Sequence, residues 1–180
     1  MRKVLLGIGM TIDGYIARPD GSVDFLFMPK DFSMAEFFKR IDVAAMGRKT
    51  YDTALKMGGV MGGGGMKTYV FSKLLDAGAH TDVKIVNESP KAFVEKLRAK
   101  EGKDIWLMGG GDLTREFLRE DLVDELHLGV VPTLIGEGIR AFEPGFPEQK
   151  FSLVENKTYS QGLIALRYDR NRSGEAPSGA

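Results

Sequence analysis

Short apolar runs alternate with amphipathic segments along most of the chain. The apolar runs are bounded by turn residues, which predicts buried strands. An apolar stripe at positions i, i+3, i+4 and i+7 predicts a helix over residues 33–41, with Ser33 as its N-cap. Alternating strands and helices favour a three-layer α/β/α domain over a helix bundle or a β-sandwich. The last two strands share a short turn, so we expect a mostly parallel central sheet with an antiparallel C-terminal hairpin.

The complete pattern predicts strands at residues 3–10, 43–46, 68–71, 83–86, 105–108, 125–131, 151–158 and 163–169. It predicts helices at residues 33–41, 47–56, 91–100 and 112–119. Together these elements form one domain over residues 1–170. The remaining residues, 171–180, are polar and contain glycine and proline, so we expect a disordered tail.

Composition excludes several classes of function. The chain carries 25 basic and 25 acidic side chains and has no basic run, so it lacks the electrostatic signature of a protein that binds nucleic acid or an anionic membrane. It has no cysteine and two histidines, His80 and His127, so neither a disulfide nor a metal site is expected. The apolar N-terminal run is broken by Gly7 and Gly9, which favours a first strand over a signal peptide and therefore a cytoplasmic location.

A glycine-rich segment follows the second predicted helix. Six of the nine residues from 58 to 66 are glycine. Such a segment buries little apolar area, so we expect a mobile surface loop. The alternative is a phosphate-binding loop, although a strand rather than a helix follows it.

The strongest local signal for chemistry is a buried strand that runs through Gly109, Gly110 and Gly111 into a helix. This arrangement presents free backbone N–H groups at the positive end of a helix dipole, which suits a phosphate. Glycines also permit close packing by themselves, so a tight corner between strand and helix is the alternative.

Two further polar clusters follow predicted strands. Gly47, Arg48, Lys49 and Thr50 open one helix, and the pair Ser72 and Lys73 follows another strand. A solvated helix start is the alternative for the first cluster. Because ligands bind beyond the carboxyl ends of strands in open α/β sheets, three such clusters together predict an extended ligand with several phosphates.

These segments resemble a known family. Residues 44–51 read AAMGRKTY, residues 70–73 read VFSK and residues 108–111 read MGGG, and their order and separation resemble the dihydrofolate reductase superfamily. The segments DGYIA, LVDELHL and VPTLIGEG, which begin at residues 13, 122 and 131, look more like its riboflavin-biosynthesis reductase branch. That branch forms the C-terminal domain of bifunctional deaminase-reductases, and the resemblance implies a homodimer. We also expect residues 125–131 and 163–169 to be edge strands that a second copy would cover.

The resemblance implies NADPH as the cofactor and assigns its contacts by position. Arg48, Ser72 and Lys73 would meet the 2′-phosphate, while Lys49 and Thr50, after Gly47, would meet the pyrophosphate. The pyrophosphate near the nicotinamide would lie against Gly109, Gly110, Gly111, Asp112, Leu113 and Thr114. The implied activity is the NADPH-dependent reduction of a small heterocyclic, carbonyl or imine substrate.

The substrate half departs from both family patterns. Aligning the packing phenylalanine of dihydrofolate reductases on Phe38 places Met34 where those enzymes carry their acid. The riboflavin-type glutamate falls on Gly109, so no proton donor is assigned, and Asp13, Met34 and Phe38 are the candidate substrate contacts. His127 and Trp106 are expected to be structural. The alternatives are a dimeric nucleotide-binding protein without turnover and a dihydrofolate reductase that uses Asp31.

Overall fold

The computed structural model describes residues 1–59, 65–75 and 82–172. Its strands are β1 (Val4–Thr11), β2 (Tyr15–Ala17), β3 (Ile41–Gly47), β4 (Lys67–Phe71), β5 (Lys84–Val86), β6 (Asp104–Gly109), β7 (Glu125–Val131), β8 (Ile139–Arg140), β9 (Lys150–Thr158) and β10 (Ile164–Asn171). Its helices are α1 (Ala35–Arg40), α2 (Arg48–Lys56), α3 (Pro90–Arg98) and α4 (Gly111–Arg119).

Eight of the strands form one sheet in the order β5-β4-β3-β6-β1-β7-β10-β9. The six strands from β5 to β7 are parallel, and the β9–β10 hairpin adds two antiparallel strands beside β7. This confirms the expected mostly parallel sheet with an antiparallel C-terminal hairpin.

Helices cover both faces of the sheet. Alternate residues of a strand point to opposite faces, so Val4 and Leu6 of β1 pack in the core beneath α3 and α4, while Leu5 packs on the other side. That second core also holds Trp106 of β6 and Tyr51 of α2. The three-layer prediction is therefore confirmed.

One local prediction was wrong, and one strand pairing was missed. The first helix begins at Ala35 rather than Ser33, because Met34 is its N-cap and the Ser33 hydroxyl accepts a hydrogen bond from the Ala35 N–H at 3.2 Å. Its last predicted residue, Ile41, already belongs to β3. The pairing of β2 with β8 was missed, since strands of three and two residues are too short to show a period.

The first two residues of the predicted tail, Asn171 and Arg172, lie within the described structure. Asn171 ends β10 and pairs with Lys150, and the Arg172 guanidinium lies 2.7 Å from the Asp124 carboxylate. Ladder pairing and this ion pair hold both residues against the domain. Residues 173–180, most of the glycine-rich segment (60–64) and His80 lie outside the described residues.

The edge-strand prediction was also wrong. β7 lies between β1 and β10, and β10 lies between β7 and β9, because the C-terminal hairpin folds back onto β7. The outer strands of the described sheet are β5 and β9. On β9, Leu153 and Val154 are exposed. The homodimer itself stays a prediction.

A buried carboxylate ties the first helix to the sheet. Glu125 of β7 is 1% exposed, and its oxygens lie 2.8 Å from Lys3 Nζ, 2.9 Å from both Arg40 terminal nitrogens and 3.0 Å from His127 Nε2. Burial alone would raise the pKa of Glu125, but the hydrogen bonds from His127, Arg40 and Lys3 outweigh it and hold that pKa below its ordinary value. We call these four residues the Glu125 network.

We expect Glu125→Gln to lower the free energy of unfolding at neutral pH by about 3–5 kcal/mol, since it removes the charge from a buried, paired site. A depressed pKa in the folded state stabilises the protein above the ordinary glutamate value of 4.5 and loses that contribution as the pH falls through the folded-state value. Urea unfolding of the wild type and of Glu125→Gln should therefore show that the difference in their free energies of unfolding becomes smaller in acid. Glu155→Gln is the matched control, because Glu155 is 61% exposed and lies 3.5 Å from Arg167. An equal loss of unfolding free energy in Glu125→Gln and Glu155→Gln would contradict the stabilising role of the Glu125 network.

Candidate functional site

A cleft of about 2040 Å³ opens along the carboxyl ends of the central strands. One end is lined by the starts of α2 and α4, and the other by α1 and by the floor formed by β1, β7 and β10. Ligands of open α/β sheets bind at this edge. The described cleft therefore has the position and length of a site for an extended ligand.

The start of α2 offers uncapped donors beside two cations. Gly47 is the N-cap, no side chain caps the helix, and no acidic residue lies in its first turn. Lys49 is exposed, and Arg48 is half-exposed with its Nε 3.5 Å from Asp52 Oδ2. Free N–H groups and the helix dipole make this end of the cleft favourable for an anion.

The start of α4 lies directly beside it. Gly110 is the N-cap of α4, again without a side-chain cap, and the Gly109–Gly110 peptide bond is cis. A Cβ built on Gly110 would lie 3.4 Å from Thr50 Oγ1, and one built on Gly47 would lie 3.8 Å from the Gly109 carbonyl oxygen. The two glycine-containing turns therefore meet, so the starts of α2 and α4 lie side by side; the first turn of α4 also carries Asp112.

The predicted cofactor residues separate into two groups. Those that line the cleft are Gly47, Arg48, Lys49, Thr50, Gly110, Gly111, Asp112 and Leu113. Gly109 and Thr114 are buried behind the turn, where the Thr114 N–H donates to the Gly110 carbonyl at 3.0 Å. They support the turn and do not line the cleft.

Ser72 and Lys73 do not line the cleft either. The Ser72 hydroxyl accepts hydrogen bonds from the Leu74 and Leu75 N–H groups at 3.2 and 3.0 Å, so it caps its own turn. Lys73 is exposed. Both follow β4, one strand further from the centre of the sheet than β3, and only the preceding Phe71 reaches the cleft.

The predicted substrate contacts divide in the same way. Met34 lines the cleft at the start of α1, whereas the ring of Phe38 packs on Trp106 at 5.7 Å between centroids and lies in the core. The Asp13 carboxylate lies outside the lining and accepts hydrogen bonds from the Ile135 and Gly136 N–H groups at 3.0 and 2.8 Å.

Two carboxylates near this end have a lowered pKa. Hydrogen bonding, first with Thr11 and then with the loop backbone, lowers the pKa of Asp13. Asp31 lines the cleft and accepts from the Ser160 hydroxyl at 2.6 Å and from the Ser160 N–H at 2.9 Å, and these bonds lower its pKa. Each carboxylate therefore fixes a loop through its hydrogen bonds.

The cleft floor contains residues that the sequence analysis missed. On β1, β7 and β10, the paired residues Gly9, Gly129 and Ala165 form a floor of small residues, which we call the glycine strip. The Leu26 side chain packs over one end of it, since a Cβ on Gly9 would lie 3.1 Å from Leu26 Cδ2. Lys157 of β9 pairs with Ala165, and its Nζ lies 4.9 Å from the centre of the Tyr159 ring. The alternating pattern of the hairpin carries a signal for this floor, because residues two apart share one face of a strand.

Neither a metal centre nor a membrane helix is found in the described part of the chain. Across residues 1–59, 65–75 and 82–172, no three histidine or acidic side chains are grouped as a metal ion would require. No helix within those ranges has the length and apolarity to cross a membrane.

The sheet order and the cleft are those of a dihydrofolate-reductase-like fold, and comparison with known proteins narrows the class. The chain belongs to the RibD C-terminal domain family, which matches residues 2–165. It is 33% identical over 172 residues to the uncharacterized protein YwjB of Bacillus subtilis, covering 94% of this chain and 98% of that protein. The resemblance to the riboflavin-biosynthesis reductase branch is therefore confirmed.

Solved structures show the same fold. A putative riboflavin biosynthesis protein from Shewanella sp. PV-4 superposes with a TM-score of 0.82 at 26% identity, covering 96% of this chain and all (100%) of that one. A diaminohydroxyphosphoribosylaminopyrimidine deaminase/5-amino-6-(5-phosphoribosylamino)uracil reductase from Thermotoga maritima gives a TM-score of 0.70 at 17% identity, covering 94% of this chain and 57% of that one. The second likeness concerns the fold alone.

Adjacent glycines at the start of α4 should respond differently to a methyl group. A Cβ on Gly111 would lie 2.5 Å from the Arg140 carbonyl oxygen, whereas the nearest atom to a Cβ on Gly110 is at 3.4 Å. We expect Gly111→Ala to lower the free energy of unfolding by about 1–3 kcal/mol, because backbone must move. Gly110→Ala should change it by no more than about 0.5 kcal/mol. Urea denaturation measures both changes in unfolding free energy. A larger loss in Gly110→Ala than in Gly111→Ala would contradict the packing described for this turn.

Proposed function

We propose that this protein is an NADPH-dependent reductase of a small heterocyclic, carbonyl or imine substrate, resembling 5-amino-6-(5-phosphoribosylamino)uracil reductase. The observation that carries the proposal is the meeting of the uncapped starts of α2 and α4 at one edge of the sheet. Two sets of backbone donors in one place suit the two phosphates of a dinucleotide better than a single anion.

The cations beside these turns support NADPH over NADH. Arg48 and Lys49 line the cleft in the first turn of α2, and the separation of 3.5 Å between Arg48 and Asp52 is a weak surface ion pair that a phosphate can displace. Arg48 would contact the 2′-phosphate, and Thr50 would lie beside the pyrophosphate. The bound cofactor supplies the hydride, while the chain holds its phosphates and orients it along the cleft.

The other end of the cleft supports a flat substrate. The glycine strip places small residues beneath a bound ring, with the Leu26 side chain over Gly9, and Met34 and Phe37 close the cleft on the side of α1. The Thermotoga maritima protein of the same fold carries in its name the reduction of a phosphoribosylaminouracil. We propose a substrate of related chemistry, a nitrogen heterocycle that carries a reducible carbonyl or imine carbon.

A protein that binds the nucleotide without turnover is the second candidate, because Met34 and Gly109 occupy the positions where related enzymes carry an acid. Oxidation of NADPH in the presence of 5-amino-6-(5-phosphoribosylamino)uracil separates the two candidates. The reductase predicts consumption that depends on the uracil compound. Binding of NADPH without consumption favours the second candidate.

We expect calorimetry to show NADPH binding about tenfold or more tighter than NADH, because a charge-assisted hydrogen bond to a phosphate contributes about 1.5–3 kcal/mol. Arg48→Ala should remove most of this preference and leave the affinity for NADH unchanged. Lys73→Ala should have little effect, since Lys73 does not line the cleft. Arg119→Ala, at the far end of α4, is the charge-matched control. Equal affinities of the wild type for the two nucleotides would remove the basis for a 2′-phosphate site.

Dihydrofolate should be a poor substrate. Met34 cannot donate a proton, and a positioned acid contributes about 10² to 10⁴ in rate. We therefore expect steady-state turnover with dihydrofolate far below the ordinary enzyme range of about 1 to 10³ s⁻¹, and Met34→Asp should raise it. Met34→Asn is the matched control, with similar size and no acid. Wild-type turnover within the ordinary range would show that another group supplies the proton to folate.

A further inference from the structure

His127 lies in the floor of the cleft beside the glycine strip. On β7 it pairs with Gly7 of β1 and with Arg167 of β10, and its side chain is 21% exposed and lines the cleft. Its ring packs against the Phe37 ring of α1 at 5.1 Å between centroids. The imidazole is thus held in place from one side and faces the cleft from the other.

The two ring nitrogens have different surroundings. Nε2 lies 3.0 Å from Glu125 Oε2 in the Glu125 network. Nδ1 has no hydrogen-bond partner within residues 1–59, 65–75 and 82–172. In the same residues, the buried side-chain atoms without a hydrogen-bond partner are Gln149 Oε1 and Asp169 Oδ1. Nδ1 is not one of them, so it is accessible to solvent. One nitrogen is therefore anchored on a carboxylate, while the other is open to the cleft.

The distances suit a substrate that lies on the glycine strip. Gly129 is two residues along β7 from His127, a separation of about 7 Å in a strand. β6 and β7 are both neighbours of β1, so their axes lie about 10 Å apart, and Met108 of β6, which immediately precedes the Gly109–Gly110 turn, also lines the cleft. His127 and Met108 therefore border the same part of the cleft, where a substrate would lie.

We propose that His127 is the proton donor of this site, which rests on the proposed reductase function. When bound, NADPH would supply a hydride with its electron pair to the carbon of a C=N or C=O group of the substrate, and the π pair would move to the nitrogen or oxygen. His127 donates the Nδ1 proton to that atom. The substrate is reduced by two electrons, the nicotinamide is oxidised, and the neutral imidazole takes a proton from solvent.

The charged groups around the ring fit this role. Glu125 of β7 is paired with Lys3, which precedes β1, and with Arg40 of α1, and it orients the imidazole through Nε2. Arg167 of β10, opposite His127, is paired with Glu155 of β9 and lies 3.8 Å from Asp169. Histidine is the side chain best suited to proton transfer near neutral pH.

The test compares the titration of His127 with the pH dependence of turnover. In a His80→Gln background the chain has one imidazole, so its NMR titration reports His127 alone. We expect kcat/KM for NADPH oxidation with 5-amino-6-(5-phosphoribosylamino)uracil to fall as the pH rises through the NMR midpoint, because kcat/KM reports groups of the free enzyme. His127→Gln should lower kcat about 10² to 10⁴-fold and leave the Kd for NADPH unchanged.

Chemical rescue distinguishes proton donation from a packing role. His127→Ala should regain turnover when imidazole is added, in proportion to the imidazolium concentration, whereas a variant with damaged packing alone would not. Wild-type kcat in His127→Gln, or a kcat/KM that does not change across the His127 midpoint, would overturn the proton-donor role and leave the reductase standing. A wild type that binds NADPH without oxidising it would overturn both.

Discussion

The parallel pairing of β3 with β6 is the constraint on which the rest of the site depends. Because the two strands are neighbours and end at the same edge, the helices that follow them, α2 and α4, begin side by side. Both begin on a glycine without a side-chain cap, so their N–H groups stay free for a ligand. Glycine is required at Gly111 for packing, because a Cβ there would meet the Arg140 backbone. At Gly110 the reason for glycine is the space it leaves open to the cleft.

The opposite end of the cleft depends on a different interaction. The Glu125 network joins α1 to β1 and β7 through one buried carboxylate, and this fixes both the short helix and the His127 ring. The six-residue α1 and the glycine strip line the same cleft, and the Leu26 side chain packs over Gly9 of the strip. The cleft therefore has the two glycine-containing turns at one end and a floor of small residues at the other.

Much of this could be predicted from the sequence, where a signal is local. The strands around Val43 and Ile105 and the glycines that follow them are contiguous in the chain, and so were found with their helices. The sequence did not reveal the roles of residues that depend on contacts with distant parts of the chain. Ser72 was predicted to contact a phosphate because it follows a strand, but its hydroxyl accepts hydrogen bonds from its own turn. Asp13 holds a loop more than a hundred residues away, which no local pattern reveals.

The edge-strand prediction failed for the same reason. The pattern of β7 identifies a strand but not its neighbours. β10, the strand that covers it, begins at Ile164, which is 33 residues after the last residue of β7. The register of that hairpin also brings Arg167 opposite His127 and Ala165 opposite Gly129, which assembles the floor of the cleft. The pairing of β7 with β10 depends on how both faces of the whole sheet are buried. The local pattern of a single strand does not contain that information.

Amide NMR spectra recorded during a titration with NADPH test the central claim most directly. The claim is that the dinucleotide phosphates bind where α2 and α4 begin. The account predicts that the backbone amides of Arg48, Thr50, Gly110 and Gly111 shift most, and that NADH shifts Arg48 less than NADPH does. Shifts confined to the β9–β10 hairpin, with these four amides unchanged, would contradict it.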